Sequence, residues 1–246
     1  MLPAADIESV LIYAVNRGYI AGLAEAYAGL PEKECADCTK CCDLAPRATF
    51  TEYLNTYSYL REQPKQIQGE VLRRTVEFFF LELADPGQRC PFNDPKDSCL
   101  IRPVRPLQCR LFGLLSQSDY EEAEQKRIAQ IQAIMAGFRD EYDIELPPAI
   151  LIPRPYCDRT GGENGSFVSI ADADMLKLRL ISYDGNLVAP EHVFREVTYL
   201  PLPVHLAMTV LNPGIRGKRV EVIREFLQGS RKFLDKYAGR AESFRF

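Results

Sequence analysis

QRCPFNDPKDSCLIRPVRPLQCRLFG, residues 88–113, decides how the chain is read. It holds four prolines and the cysteines Cys90, Cys99 and Cys109, with no apolar periodicity. Each proline fixes φ and removes a backbone donor, so a regular helix or central strand is excluded. The stretch reads as irregular backbone wrapped around something.

On both sides of it the pattern is helical. Upstream, apolar residues at Ile7, Val10, Leu11, Ala14, Ala21 and Ala24 predict one amphipathic helix over 5–28, stopped by Gly29 and Pro31. Thr51 is a candidate cap for a short helix carrying Tyr53, Leu54, Tyr57 and Leu60. A longer helix is expected from Gln66 to Ala84, with Ile67, Val71, Val76 and Phe79 or Phe80 inward, ended by Asp85-Pro86-Gly87. Downstream, Ser118–Glu121 matches a capping box opening a helix to Tyr142, with Ile128, Ile131, Ile134, Met135 and Phe138 on one side. Residues 147–169 read as loop. Helices are expected over 172–181 and 220–237, and YLPLPVHLAMTVL is either a buried helix start or extended. The fold class is therefore mainly α, with helices around an irregular, cysteine-rich centre. Residues 1–169 are expected to form a cysteine-rich metal-binding domain with flanking helices, and 170–246 a helical C-terminal extension packed on it.

All eight cysteines fall in the loop-like places: Cys35, Cys38, Cys41 and Cys42 in CADCTKCC, then Cys90, Cys99 and Cys109, then Cys157. Buried structural cysteines behave as small hydrophobes scattered through core elements. Grouping in bent backbone points instead to a metal. Cys35-x-x-Cys38-x-x-Cys41 turns three sulfurs toward one centre, and a distant fourth cysteine before proline, here Cys90-Pro91, completes the ligand pattern of a cubane cluster. Four thiolates also make an ordinary structural zinc site, and thiolate softness suits both. Neighbouring side chains point different ways in extended or turn backbone. Cys42 is therefore expected to leave the Cys41 centre and join Cys99, Cys109 and Cys157. Arg89, Arg102, Arg105 and Arg110 accompany the second group; Arg102, Arg105 and Arg110 are the candidates to stabilise a negatively charged cluster. The two histidines, His192 and His205, are far from the cysteines and are expected at the surface or in the core.

The net charge of −4 argues against nonspecific nucleic-acid binding. The N-terminal stretch lacks a basic region, and Asp6, Glu8 and Arg17 interrupt it, so no signal peptide is expected. No apolar run approaches a membrane span, so the expectation is a cytoplasmic protein without a membrane partner. In that compartment clustered cysteines favour metal or redox chemistry over disulfides. The chain has no GxSxG, HExxH, Walker or dinucleotide motif.

CxxCxxCC, then CPF, then C-x-I-x-x-x-R-P-x-x-C-R-x-F resembles the CxxCxxCC family of zinc- or iron-chelating, iron–sulfur cluster-containing proteins. The matching residues are Cys35, Cys38, Cys41 and Cys42; Cys90, Pro91 and Phe92; and Cys99, Ile101, Arg105, Pro106, Cys109, Arg110 and Phe112. Cys157 with the following DRTGGENG resembles the family's late cysteine-glycine element. Asn93 and Arg102 depart from the aliphatic and aromatic residues common there. The resemblance implies metal binding. The resulting expectation is one or two 4Fe-4S clusters serving a redox partner. The alternatives are a zinc-stabilised binding module with a protein partner, and a metal-dependent group-transfer enzyme.

Overall fold

The computed structural model describes residues 4–31, 41, 45–93, 99–157, 166–187 and 199–246. Among these the chain is mainly α. The helices are α1 (Ala4–Asn16), α2 (Tyr19–Ala28), α3 (Phe50–Arg61), α4 (Lys65–Leu81), α5 (Leu107–Leu111), α6 (Gln117–Tyr142), α7 (Ile170–Asp184), α8 (Leu202–Leu211), α9 (Arg219–Leu227) and α10 (Lys232–Glu242). The sheet described is a two-residue antiparallel pair, β1 (Arg47–Ala48) with β2 (Leu200–Pro201), joining Arg47 to Pro201 and Ala48 to Leu200. No helix among the described residues is long and apolar enough to cross a membrane.

The start of α3 organises the fold. A helix leaves its first amides without intrahelical acceptors, and here that end is buried, so every acceptor must come from the protein. Thr49 is the cap: its Oγ1 accepts from the Glu52 amide at 3.3 Å, and the Glu52 carboxylate accepts from the Thr49 amide at 2.7 Å. Thr51, the expected cap, lies inside the helix, because only Thr49 has a glutamate three residues on. The remaining amides, of Phe50 and Thr51, donate to the Asp184 carboxylate at 2.7 and 2.8 Å, and the Thr51 hydroxyl adds 2.7 Å. Asp184 is the last residue of α7 and is fully buried, so residues 134 positions apart are joined at one helix end.

The main core gathers α3, α4, α8 and α10. Tyr53, Leu54, Tyr57, Val76, Phe79, Phe80, Leu202, Leu206, Leu211 and Leu234 are all buried in it. The C-terminal residues thus share a core with the first half of the chain. Each such large side chain contributes about 1.5–3 kcal/mol on burial. His205 is a core residue: it stacks on Tyr53 at 5.1 Å and its Nε2 donates to Ala48 O at 3.2 Å. His192 lies outside the described residues. A second cluster joins Leu23 and Ala26 of α2, Leu107 of α5 and Leu180 of α7.

Several helical expectations change. The helix expected over 5–28 breaks at Gly18, which takes φ +74°. The break rotates the second half, so Ala21 and Ala24 face solvent while Gly22, Leu23 and Ala26 are buried. The segment 220–237 divides at Gly229, φ +85°, where the Glu225 carboxylate accepts from Ser230 Oγ and the Phe233 amide, both at 2.7 Å, to start α10. The cap of α6 is Ser116, accepting from the Asp119 amide, rather than Ser118. Its expected apolar face is only partly covered: Glu124 is the buried residue of that helix, and Ile134 is exposed. YLPLPVHLAMTVL resolves into β2 followed by the buried α8. Phe78, Phe79 and Phe80 are core residues.

Asp184 gives a pH signature. Burial raises its carboxyl to about 7 against the three hydrogen bonds it accepts, well above the 3.8 of an unperturbed aspartate. A raised acid contributes stability that is complete below its unfolded pKa and lost as pH rises through the folded one. Thermal unfolding followed from about pH 4 to 7 is therefore expected to show a falling contribution from this group. Asp184→Asn lowers stability overall, since a carboxamide has one accepting oxygen and sets an NH2 donor against the others, but flattens that decline. An unchanged slope would contradict the assignment.

Candidate metal centre

Two apolar anchors fix the 88–113 stretch. Phe92 and Ile101 are both fully buried in the main core. Between and beside them the backbone is tied down by short-range bonds. The Asn93 amide donates to Cys90 O at 3.0 Å, Leu100 to Phe92 O at 2.9 Å, and Arg102 to Cys99 O at 3.1 Å. Asn93 and Cys99 form an isolated antiparallel bridge. A 3-10 turn at Arg102–Val104 then leads to α5, which carries Cys109.

This backbone brings Cys41, Cys90, Cys99 and Cys109 into one electrostatic neighbourhood. Burial above all, with Cys99 and Cys41 adding to it against the Phe92 amide and Arg74, pushes the Cys90 thiol up to about 12. Burial also raises Cys99, with Cys41 adding to it and the Ile101 amide, Arg105 and Arg102 opposing. Cys109 is raised most by burial, then by Cys90, Cys41 and Cys99, against Arg105. Backbone amides aimed at two sulfurs and guanidinium groups among four thiols suit thiolate ligation. Metal binding would take protons from these thiols. Among the described residues, no three His, Cys, Asp or Glu side chains already stand in an arrangement that holds a metal ion.

The other predicted residues divide. Cys35, Cys38 and Cys42 lie outside the described residues. Cys157 is buried near Tyr120, whose ring lies 5.4 Å from that of Tyr156. Cys99 and Cys109 are electrostatically coupled to Cys41, and Cys109 to Cys90 as well, while the expected partner Cys42 lies outside the described residues. Arg105 acts on the Cys99 and Cys109 thiols and Arg102 on Cys99, and Arg110 is coupled to Cys109 while also tying the loop together. Its guanidinium stacks 4.2 Å over the Tyr27 ring, and it donates to Arg105 O at 2.8 Å and Pro103 O at 3.2 Å, stapling the loop. Arg89 is exposed.

Two residues of the centre's surroundings were not among the sequence candidates. Arg74, in α4, acts on Cys90 from outside every cysteine motif. Glu52 holds the start of α5: its Oε1 accepts from the Leu107 amide at 2.5 Å and from Tyr27 Oη at 2.6 Å. Burial raises the Glu52 carboxyl against these bonds and those from Thr49. Burial and Glu52 in turn keep Tyr27 protonated as the donor. One carboxylate thereby links α2, α3 and the helix bearing Cys109. The Thr49-x-x-Glu52 spacing was visible in the sequence; its reach to Leu107 was not.

What these features define is a mainly α protein in which Cys41, Cys90, Cys99 and Cys109 act on one another electrostatically. The model of the CxxCxxCC family, described as "putative zinc- or iron-chelating domain", matches residues 34–130 and bears out the resemblance. The matched span contains seven of the eight cysteines, Cys157 lying beyond it. The match supports metal chelation in this part of the chain. Neither curated proteins nor solved structures give a significant match.

Glu52→Ala is expected to cost at least about 3 kcal/mol in chemical denaturation, because it strands several buried donors. Tyr27→Phe, which leaves the Leu107 and Thr49 bonds in place, costs about 1 kcal/mol. Equal losses would show that Glu52 does not act through the Leu107 amide.

Proposed function

We propose that the protein holds an iron–sulfur cluster of the 4Fe-4S type on cysteine thiolates and serves a redox role. The observation supporting this is the mutual electrostatic influence of Cys41, Cys90, Cys99 and Cys109, which come from separate cysteine motifs, beside the half-buried Arg74 and Arg105. Cys41 closes the triplet begun by Cys35 and Cys38, and Cys90 is the distant cysteine before proline, so the spacing is that of a cubane's ligands. When bound, the cluster supplies a one-electron couple. The chain's own part is to orient the sulfurs through Phe92, Ile101 and the Glu52–Leu107 bond. Arg74, Arg102 and Arg105 offset the negative charge of the thiolates. Cys42, Cys99, Cys109 and Cys157 exceed what one such cluster needs, which leaves thiols for a second centre. The setting we propose is the cytoplasm, with a redox protein as partner.

Zinc is the second reading, favoured by the same four-thiol set, which equally matches a tetrathiolate structural site. Protein purified without oxygen is expected to be brown and to contain iron and acid-labile sulfide in equal amounts. A colourless protein with stoichiometric zinc and little iron would overturn the cluster. Cys38→Ser and Cys90→Ser are each expected to lose metal and stability; full metal content in both would refute the ligand set.

A further inference from the structure

Arg74 projects from the middle of α4 and is half-buried. Its Nε donates to Glu70 O at 3.3 Å, one turn back on the same helix. Its Nη1 donates to Asn93 O. That contact grips the backbone between two cysteines, since Asn93 closes the turn on Cys90 and bridges to Cys99. The third nitrogen, Nη2, is buried with no hydrogen-bond partner among the described residues. Close by, Asn93 is itself buried, and its Oδ1 also lacks a partner there.

Both groups that accept from Arg74 among the described residues are neutral carbonyls. A guanidinium held this way carries an uncompensated charge, which a protein interior tolerates only next to an anion. Its neighbour Arg73 shows the contrast: it is exposed and paired with Glu77 at 3.4 Å and Glu242 at 3.6 Å. Among the described residues Arg74 makes no ion pair, and the anions that metal binding would create, the thiolates of the cysteine centre, include Cys90, on which Arg74 acts. Guanidinium groups are suited to such a role because their charge is permanent and their donors lie in a fixed plane.

We propose that Arg74 is the counter-charge of the metal centre: it fixes the Cys90–Asn93 turn through Nη1, and its buried Nη2 would face the negative charge that metal binding creates on the thiols. This rests on the metal-binding reading above. Arg74 is a positioning residue, not a ligand. Its removal leaves every cysteine in place and weakens the hold on the metal.

The test uses the full chain purified anaerobically with its own metal, and follows transfer of that metal to a chromogenic chelator. Arg74→Gln is expected to speed release about 10- to 100-fold, the usual effect of losing a partner outside the ligand set. Arg74→Lys keeps the charge and stays within about threefold of the parent, while Arg73→Gln releases at the parent rate. Thermal unfolding of the metal-free proteins separates a purely structural role, which would lower stability and leave release unchanged. Arg74→Met keeps the apolar stem and substitutes for the glutamine variant if that does not fold. Release at the parent rate from the neutral variants, or equal acceleration by lysine and the neutral residues, overturns the proposal. In either case a parent that loads normally leaves the metal-binding reading standing. A parent that takes up no metal overturns both.

Discussion

The fold depends on a helix end that has no water to turn to. The first amides of α3 are buried, and an unpaired buried donor costs about 1–3 kcal/mol. The chain meets this with two carboxylates, Glu52 from within the helix and Asp184 from α7. Both also complement the positive end of the helix dipole. Neither is free in energy: burial raises both carboxyls. The arrangement holds because each carboxylate collects several donors at once, which is the condition under which a buried charge is tolerated.

The same constraint reaches the cysteines. Glu52 has an oxygen to spare after capping α3, and that oxygen holds Tyr27 and the Leu107 amide. Leu107 packs in the smaller core with Leu23 and Leu180, and Cys109 follows one half-turn later. Phe92 and Ile101 do the equivalent for Cys90 and Cys99 from the main core. The cysteine loop is thus pinned from two cores and one carboxylate. Irregular backbone gains definition from such anchors, since it has no ladder of its own hydrogen bonds to supply rigidity.

How far this could be read in advance follows from the range of each interaction. Helix existence rests on local periodicity, and α4, α6 and α7 were legible for that reason. Helix continuity depends on single glycines: Gly18 and Gly229 adopt positive φ, and the apolar pattern runs on through both. The cysteines declared the metal chemistry through type and spacing. Spacing says which sulfurs can converge, while anchors distant in sequence, Phe92, Ile101 and Glu52, position the backbone that carries them. Arg74 was invisible for the opposite reason. It sits in an ordinary helical pattern next to Arg73, and only the packing of α4 against the Cys90–Asn93 turn distinguishes the two.

Charge distribution ties these observations together. The chain as a whole is acidic, with 34 Asp and Glu against 30 Lys and Arg. Around the thiols the balance reverses, with Arg74, Arg102 and Arg105 acting on them. Metal held at these thiols, as proposed above, would release their protons and leave thiolates facing that positive charge. The loaded and empty states would then differ in net local charge, which ties the stability of the fold to occupancy of the centre.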